Sequence, residues 1–293
     1  MSKESRTKVI MLGTGTPNPT PERQGPAIAI VVDDQSYLID AGTGIVRQAE
    51  HANRMGFSAL KASNLTRSFL THLHSDHTIG LPDLITTPWI LERVDPLQIY
   101  GPKGTKNMIH HLTAAYSLDR DARMHGLENA NETGIRVETT EFEEGLFYED
   151  DLVKVEAFRV EHEPFDAFGF RFTTPDKVIV ISGDTNYNEN LIEHAKNCDI
   201  LIHEVISASG VERRDPVWRK YHKTVHTTSK ELGEIAALTN PGKVVFTHQL
   251  FMTLPDEHGV VPTEEENELE MIRDVQANYD GEVISPKDLT VID

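Results

Sequence analysis

The segment FLTHLHSDHTIG, residues 69–80, places three histidines and one aspartate within six positions, directly after a strand-like apolar run. A Gly-Leu-Pro turn follows, so the four side chains lie on the loop that leaves the carboxyl end of a strand. In extended backbone His72 and His74 point to the same side, which allows both imidazoles to bind one ion. The turn lets Asp76 and His77 reach a second ion. The segment therefore indicates metal binding.

Three further residues with ligand chemistry stand at predicted strand ends. His162 ends VKVEAFRVEH, Asp184 follows VIVISG, and His248 closes KVVFTH. Singly, each has an ordinary alternative, such as an aspartate that caps a loop or a histidine satisfied by backbone hydrogen bonds. Together with the first segment they supply seven nitrogen and oxygen ligands and no thiolate, which is too many for one closed tetrahedral zinc. Two metal ions that share a bridging carboxylate fit this set better.

Short apolar runs predict most of the strands. Fully apolar runs are typical of strands buried on both faces, whereas GIRVETTE and LVKVEAFRV alternate and indicate strands with one wet face. The fully apolar runs are KVIML (8–12), AIAIVV (27–32), SYLID (36–40), RSFLT (67–71), LQIY (97–100), KVIVIS (177–182), DILIHE (199–204) and KVVFTH (243–248).

Helical patterns lie between these runs, in GIVRQAEHANRMG, KNMIHHLTAAY and TTSKELGEIAAL, the last with a Thr228 to Glu231 capping-box spacing. Strands with interspersed helices in both halves predict an α/β architecture of sheets covered by helices. No convincing linker interrupts the chain, which predicts a single domain over residues 1–293.

The composition restricts partners and compartment. A formal net charge of -19 repels phosphate backbones and acidic membranes on average, so nucleic-acid binding would need a local basic patch. The single cysteine, Cys198, excludes an intramolecular disulfide and fits a reducing compartment. The amino-terminal stretch lacks the apolar core of a signal peptide. These features predict a cytoplasmic protein that does not bind membranes.

The motif THLHSDH, with GTGTP before it and SGDT, HE and THQ after it, resembles the metallo-β-lactamase-fold hydrolases over essentially the whole chain. This resemblance implies a four-layer αβ/βα sandwich with a dinuclear site. It also implies two divalent ions per chain, with Zn²⁺ expected and Mn²⁺ or Fe²⁺ as alternatives. The ligands implied are His72, His74 and His162 for the first ion, Asp76, His77 and His248 for the second, and Asp184 as the bridge.

Within that family, DILIHE and HTTSKELGEIA resemble the branch that contains ribonuclease Z and the zinc-dependent arylsulfatases, in which a Glu and a His act beside the metals. The resemblance gives these roles to Glu204 and His226, and it makes Asp76 a catalytic candidate as well as a ligand. The stretches TPWILERVDPLQIYGPKGTKNM and WRKYHKTVHTTSKEL are most similar to the arylsulfatase-type group.

An aryl leaving group needs flat apolar walls, so aromatic side chains are the candidates for a substrate pocket. Trp218, Tyr221 and His222 lie close to His226 in sequence, and Trp89 is the fourth candidate. Tryptophan and tyrosine serve equally often in core packing, which is the alternative at each of these positions.

The main hypothesis from the sequence is a dinuclear hydrolase of small sulfate or phosphate esters, an arylsulfatase-like enzyme with phosphodiesterase side activity, in which a metal-bridging hydroxide attacks. The alternatives are a ribonuclease Z-like endonuclease that processes tRNA 3′ ends, a lactonase and a metal-binding scaffold without turnover. In the ribonuclease Z group an arm between the third ligand histidine and the bridging aspartate binds tRNA. His162 and Asp184 enclose only two strands and a turn, so tRNA is predicted to be an unlikely partner. Because dimers are usual among similar proteins, the chain is also predicted to form a homodimer.

Overall fold

The computed structural model describes residues 5–293. These residues divide into two compact units: the first holds the described residues up to Glu143 together with Lys287–Asp293, and the second holds Glu144–Pro286. Each unit contains one seven-stranded sheet and its own apolar core.

The sheet of the first unit is mixed. Its β-branched and aliphatic runs form strands β1 (Thr7–Gly13), β2 (Ala27–Val32), β3 (Gln35–Ile39), β4 (Arg67–Phe69), β5 (Leu97–Gly101), β6 (Val137–Glu141) and β14 (Val291–Ile292). The spatial order is β14-β1-β2-β3-β4-β5-β6, antiparallel from β14 to β3 and parallel from β3 to β6. The parallel part matters for function, because polar side chains collect at the carboxyl ends of parallel strands.

Helices connect and cover these strands: α1 (Ile45–Arg54), α2 (Ser75–Thr78), α3 (Leu81–Ile90), α4 (Thr105–Ala115) and α5 (Ser117–His125). Helix α1 buries Ile45, Val46, Ala49 and Ala52, one stripe at helical spacing, in the core of this unit. Arg93 is also buried. Its guanidinium donates hydrogen bonds to the carbonyls of Leu65, Leu84, Ile85 and Gly134, which fixes the end of α3 against the neighbouring loops.

The second unit repeats the plan with a different strand order. Its strands are β7 (Gly145–Glu149), β8 (Lys154–His162), β9 (Phe165–Thr173), β10 (Val178–Ile181), β11 (Ile200–Ile206), β12 (Lys243–Leu250) and β13 (Glu282–Ile284). The order is β13-β12-β11-β10-β9-β8-β7, with parallel pairing from β10 to β13 and antiparallel pairing from β7 to β10. Strands β10 and β11 are almost fully apolar because both of their faces are covered.

The helices of the second unit are α6 (Glu189–Ala195), α7 (Ala208–Glu212), α8 (Pro216–Val225), α9 (Ser229–Thr239) and α10 (Glu264–Gln276). The predicted capping box is present at α9: the Thr228 side chain accepts from the Glu231 backbone N–H, and the Glu231 carboxylate accepts from the Thr228 N–H. Helix α9 can therefore begin at Ser229, three residues after His226.

The predicted α/β class is confirmed, and every strand-like run named above forms a strand. The prediction of a single domain over residues 1–293 stays a prediction. Within residues 5–293, no helix combines the length and the apolar character that crossing a bilayer requires.

Candidate metal centre

The loop after β4 gathers the first cluster of ligand-type side chains. His74 has an extended backbone and α2 starts at the next residue, so the chain turns back before His77. The Nε2 atom of His72 lies 3.0 Å from Nδ1 of His74. Two nitrogens bound to one tetrahedral zinc at about 2.0–2.1 Å would be about 3.3 Å apart. Nε2 of His77 lies 3.5 Å from Oδ2 of Asp76, so this second pair can also share an ion.

Asp40 is a candidate site residue that the sequence prediction missed. It follows β3, is buried, and has a left-handed backbone (φ 58°), which aspartate tolerates better than most residues. Its carboxylate accepts from the Thr71 backbone N–H at 2.8 Å and from Nδ1 of His77 at 2.8 Å. This second bond favours the tautomer with the proton on Nδ1 and leaves Nε2 as the nitrogen that can bind a metal ion. The available signal was a charged residue at the end of an apolar strand, SYLID.

Backbone contacts hold Asp40 and His77 in register. The Ala41 N–H donates to the His77 carbonyl, and the Gly80 N–H donates to the Ala41 carbonyl, both at 2.8 Å. A Cβ on Gly80 would stand 2.2 Å from the Gly42 carbonyl oxygen, so only glycine permits this approach. The glycine that ends the opening segment therefore serves the site by letting two loops pack closely.

The second cluster lies in the second unit and centres on Asp184. Its Oδ2 atom is 3.3 Å from Nε2 of His248 and 3.9 Å from Nε2 of His162, and all three residues are buried. Nδ1 of His162 donates to the Val225 carbonyl at 2.8 Å, which turns Nε2 toward the carboxylate. A single oxygen that faces two imidazoles is an arrangement from which a carboxylate can bridge two ions. Burial lowers the pKa of His162, so its imidazole is neutral and suited to bind a metal.

His248 does not end its strand, as the sequence predicted, but lies inside β12. The pairing of β11 with β12 shifts there: Glu204 faces Thr247 and Val205 faces Gln249, so His248 is the extra residue of a bulge with φ 42°. A bulge re-aims the side chain of the extra residue, and bulges are frequent beside active sites. The bulge explains how a residue within a buried strand presents its imidazole to Asp184.

Glu204 and His226 form the buried pair that the resemblance implied. Oε1 of Glu204 accepts from Nδ1 of His226 at 3.1 Å and from the backbone N–H groups of Thr185 and Thr227, each at 3.2 Å. Burial, and after it the charge of Asp184, raises the pKa of Glu204 well above its ordinary value. The His226 ring is stacked on that of His248, with centroids 5.5 Å apart. His226 is thus oriented through Nδ1, with Nε2 on the opposite edge of its ring.

The side chains of both clusters fit metal ions. Each cluster offers imidazole nitrogens and carboxylate oxygens, the donor set of catalytic zinc, manganese and non-haem iron sites. His77 and His162 each donate their other ring nitrogen to a carboxylate or carbonyl, which is the usual support of a ligating histidine. His162, Asp184 and His226 form one ligand-competent group in the second unit, and Glu204, His226 and His248 form another. The joint seven-ligand site stays a prediction.

The four predicted pocket residues separate into two kinds. Trp89 is 1% exposed, belongs to α3, and donates its indole N–H to the Asn131 carbonyl at 2.7 Å. The structure therefore does not support Trp89 as a pocket wall. The Trp89 side chain packs in the core, where its flat ring fills volume and its N–H has a backbone partner. Trp218 and Tyr221 lie on α8 and are 53% and 42% exposed. His222 lies between Trp218 and His226.

Comparison with known proteins supplies the family. A sequence model of the family described as "Beta-lactamase superfamily domain" matches residues 35–249, which is most of the chain. The chain belongs to the β-lactamase superfamily. It is 32% identical to ribonuclease Z of Mycobacterium sp. (strain KMS) over 246 residues, which are 83% of this chain and 84% of that protein.

Solved structures show the same fold. The metallo-β-lactamase fold protein YhfI from Bacillus subtilis aligns with a TM-score of 0.73 at 18% identity, over 99% of this chain and 100% of that chain. The short form of human tRNase Z aligns with a TM-score of 0.67 at 24% identity, over 98% of each chain. The predicted metallo-β-lactamase fold is confirmed.

The prediction that tRNA is an unlikely partner is wrong, because relatives that match over most of the chain are ribonuclease Z enzymes. The structure does confirm that residues between His162 and Asp184 form only β9, β10 and short turns. The inference failed because an arm in one segment is not the only way to bind RNA, and because a net charge averages over surfaces of different sign.

Proposed function

We propose that the two clusters together bind two divalent metal ions, zinc first among them, and that the chain is a ribonuclease Z-like endonuclease that hydrolyses a phosphodiester bond near the 3′ end of precursor tRNA. The similarity to ribonuclease Z over 83% of the chain supports the substrate class. The single cysteine, which is buried and free, agrees with action in the reducing compartment where tRNA matures.

The observation that carries the reaction type is the Glu204–His226 pair. When bound, two ions would supply a water molecule activated at neutral pH and would stabilise negative charge on the phosphate. The ribose oxygen that leaves from an RNA phosphodiester is an alkoxide, a poor leaving group, and it needs a proton as the P–O bond breaks. A buried histidine held by a carboxylate is suited to deliver that proton. A phenolate leaves without being protonated, so the hydrolysis of an aryl sulfate would gain little from the Glu204–His226 pair.

Each residue of the pair has a distinct task. The imidazolium of His226 donates from Nε2 to the departing ribose oxygen while its Nδ1–H stays bonded to Oε1 of Glu204. Glu204 orients the ring, because its Oε1 accepts the hydrogen bond from Nδ1 of His226. Thr185 and Thr227 fix the carboxylate through backbone N–H groups, so the orientation does not depend on flexible side chains.

A substrate panel tests the proposal. Zinc-loaded and manganese-loaded protein is incubated with a 3′-extended precursor tRNA, an aryl sulfate, an aryl phosphodiester and a lactone, with chelator-treated protein as the control. We expect endonucleolytic removal of the 3′ trailer, abolished by chelation, and weaker turnover of the aryl phosphodiester. Efficient aryl sulfate or lactone hydrolysis together with intact precursor tRNA would contradict the proposal and return the function to the small-ester hypotheses.

A further inference from the structure

Helix α8 carries aromatic rings in a continuous row that leads to His226. Trp218, His222 and His226 are spaced four residues apart, so they lie on one face of the helix and its carboxyl end. The Trp218 and His222 ring centroids are 6.1 Å apart, and those of His222 and His226 are 5.9 Å apart. Tyr221 meets the Trp218 ring edge-on at 5.9 Å. We call these four residues the aromatic row.

A guanidinium lies at the outer end of the aromatic row. Arg214 precedes Trp218 by four residues, and its Cζ lies 5.8 Å from the centre of the indole ring. No carboxylate of residues 5–293 pairs with Arg214 within 4 Å. Its Nε atom is buried and has no hydrogen-bond partner among these residues. A buried donor without a protein partner is unusual, so this guanidinium has hydrogen-bonding capacity left for water or an anion.

Three of the neighbouring basic residues are engaged elsewhere. Arg219 and Lys223 both bind Glu212, at 3.2 Å and 2.8 Å, and Arg213 donates to Ser209 and to the Leu254 carbonyl. Residues 213–223 nevertheless carry five basic side chains against one acidic one, in a chain whose formal net charge is -19. Because Glu212 pairs with Arg219 and Lys223, the positive charge that this segment offers to a phosphate comes from side chains without a carboxylate partner, Arg214 among them.

His222 adds polar atoms to the same face. Both of its ring nitrogens are buried and lack a hydrogen-bond partner in the described part of the chain. Burial, with His226 and Arg214 nearby, lowers the pKa of His222 to about 4, so the ring is neutral and does not compete with Arg214 for an anion. Along this face, the Arg214 guanidinium, which has no carboxylate partner, is followed by the exposed ring of Trp218 and then by the uncharged imidazole of His222.

We propose that Arg214, Trp218 and Tyr221 form a subsite for an unpaired nucleotide of the RNA substrate, with the base stacked on the Trp218 indole and an adjacent phosphate bound by the Arg214 guanidinium. The inference rests on the proposed function, because it takes RNA to be the substrate. Stacking on exposed aromatic rings combined with cationic contacts to the backbone is how proteins bind single-stranded nucleic acid. The aromatic row would then guide the strand toward His226.

The tryptophan content makes this subsite measurable. The chain has two tryptophans, of which Trp89 is buried and Trp218 is exposed. In a Trp89→Phe background the fluorescence reports Trp218 alone. Metal-loaded protein is titrated with an oligoribonucleotide of about five nucleotides whose phosphorothioate linkages resist hydrolysis. An abasic strand of the same length and phenyl sulfate are the comparison ligands.

We expect saturable quenching by the oligoribonucleotide and weak quenching by the abasic strand. In unlabelled binding assays Trp218→Ala should bind the oligoribonucleotide about 5- to 150-fold more weakly, the range for losing one stacked base, and Trp218→Phe should restore most of the affinity. Arg214→Ala should lower the slope of log affinity against log salt by about 1. Lys223→Ala removes the same charge from a side chain held by Glu212 and should leave that slope unchanged.

Cleavage of precursor tRNA by the same variants separates two kinds of failure. If the wild type cleaves precursor tRNA while Trp218→Ala and Arg214→Ala keep its KM, the subsite is overturned and the proposed function stands. If phenyl sulfate quenches Trp218 and precursor tRNA is not cleaved, both the RNA occupant and the proposed function are overturned. A raised KM in both variants, with Lys223→Ala at wild-type KM, supports the subsite.

Discussion

Replacing Asp40 by asparagine tests whether the buried carboxylate tunes a metal ligand. Asp40 accepts from the Thr71 N–H and O–H groups and from Nδ1 of His77 at 2.8–2.9 Å. Asparagine keeps one acceptor oxygen but places an NH₂ group opposite one of these donors. If the NH₂ faces Nδ1 of His77, the proton must move to Nε2, and the ligand nitrogen loses its lone pair. Loss of such a supporting partner typically costs 10- to 100-fold in metal affinity, or about 1.4–2.8 kcal/mol.

The assay is competition for zinc between the protein and a chromogenic chelator, analysed for two sites. We expect one ion to bind about 10- to 100-fold more weakly in Asp40→Asn and the other to be nearly unaffected. Asp83→Asn is the matched control, because Asp83 is a helix residue of the same unit that pairs with exposed Arg47. Thermal unfolding of the metal-free variants separates a folding defect from a binding defect. Wild-type affinity for both ions in a folded Asp40→Asn protein would refute the reasoning.

Four further predictions concern the second unit. His226→Ala should keep both ions, measured by elemental analysis, and lose about 100- to 10,000-fold in cleavage of alkoxide-leaving phosphodiesters but far less with nitrophenolate esters; equal losses would give His226 a binding role instead. Glu204→Gln should show a milder form of the same pattern, and the double variant should be little worse than His226→Ala alone, because the two act as a unit. Asp184→Ala should lose metal and activity together, since its Oδ2 faces both His162 and His248; unchanged affinity for both ions would remove it from the site. Burial raises the pKa of the Cys198 thiol to about 12, so native protein at about pH 8 should not react with a disulfide reagent until it is unfolded; rapid labelling of the folded protein would contradict this.

Local sequence signals predicted the framework of both sheets. Runs such as AIAIVV and KVVFTH identify buried strands because several consecutive β-branched residues have no amphipathic helical alternative. The capping box at Thr228 also formed as predicted, because both of its partners lie within four residues. Helix α8 was not predicted: its residues mix charges and aromatics, and the start at Pro216 depends on the Asp215 side chain, which caps the Val217 N–H.

The parts that sequence could not predict depend on contacts between distant residues. The contact of Asp40 with His77 joins positions 37 residues apart, and nothing near SYLID indicates it. The bulge at His248 arises from the register of β12 against β11, which a single strand does not encode. Trp89 looked like a pocket residue because aromatic character is visible in a sequence, whereas burial and the bond to the Asn131 carbonyl are not. The prediction about tRNA failed for the same kind of reason, since composition averages over the surface.

The most direct test of the account is a metal titration of chelator-stripped protein, with cleavage of a 3′-extended precursor tRNA as the readout. The proposed function assigns two ions to each chain, so the cleavage rate should rise with added zinc or manganese and reach its plateau at two equivalents per chain. The product should be a tRNA whose trailer has been removed by one endonucleolytic cut. A plateau at one equivalent would contradict the dinuclear centre, and intact precursor tRNA at every loading would contradict the proposed function.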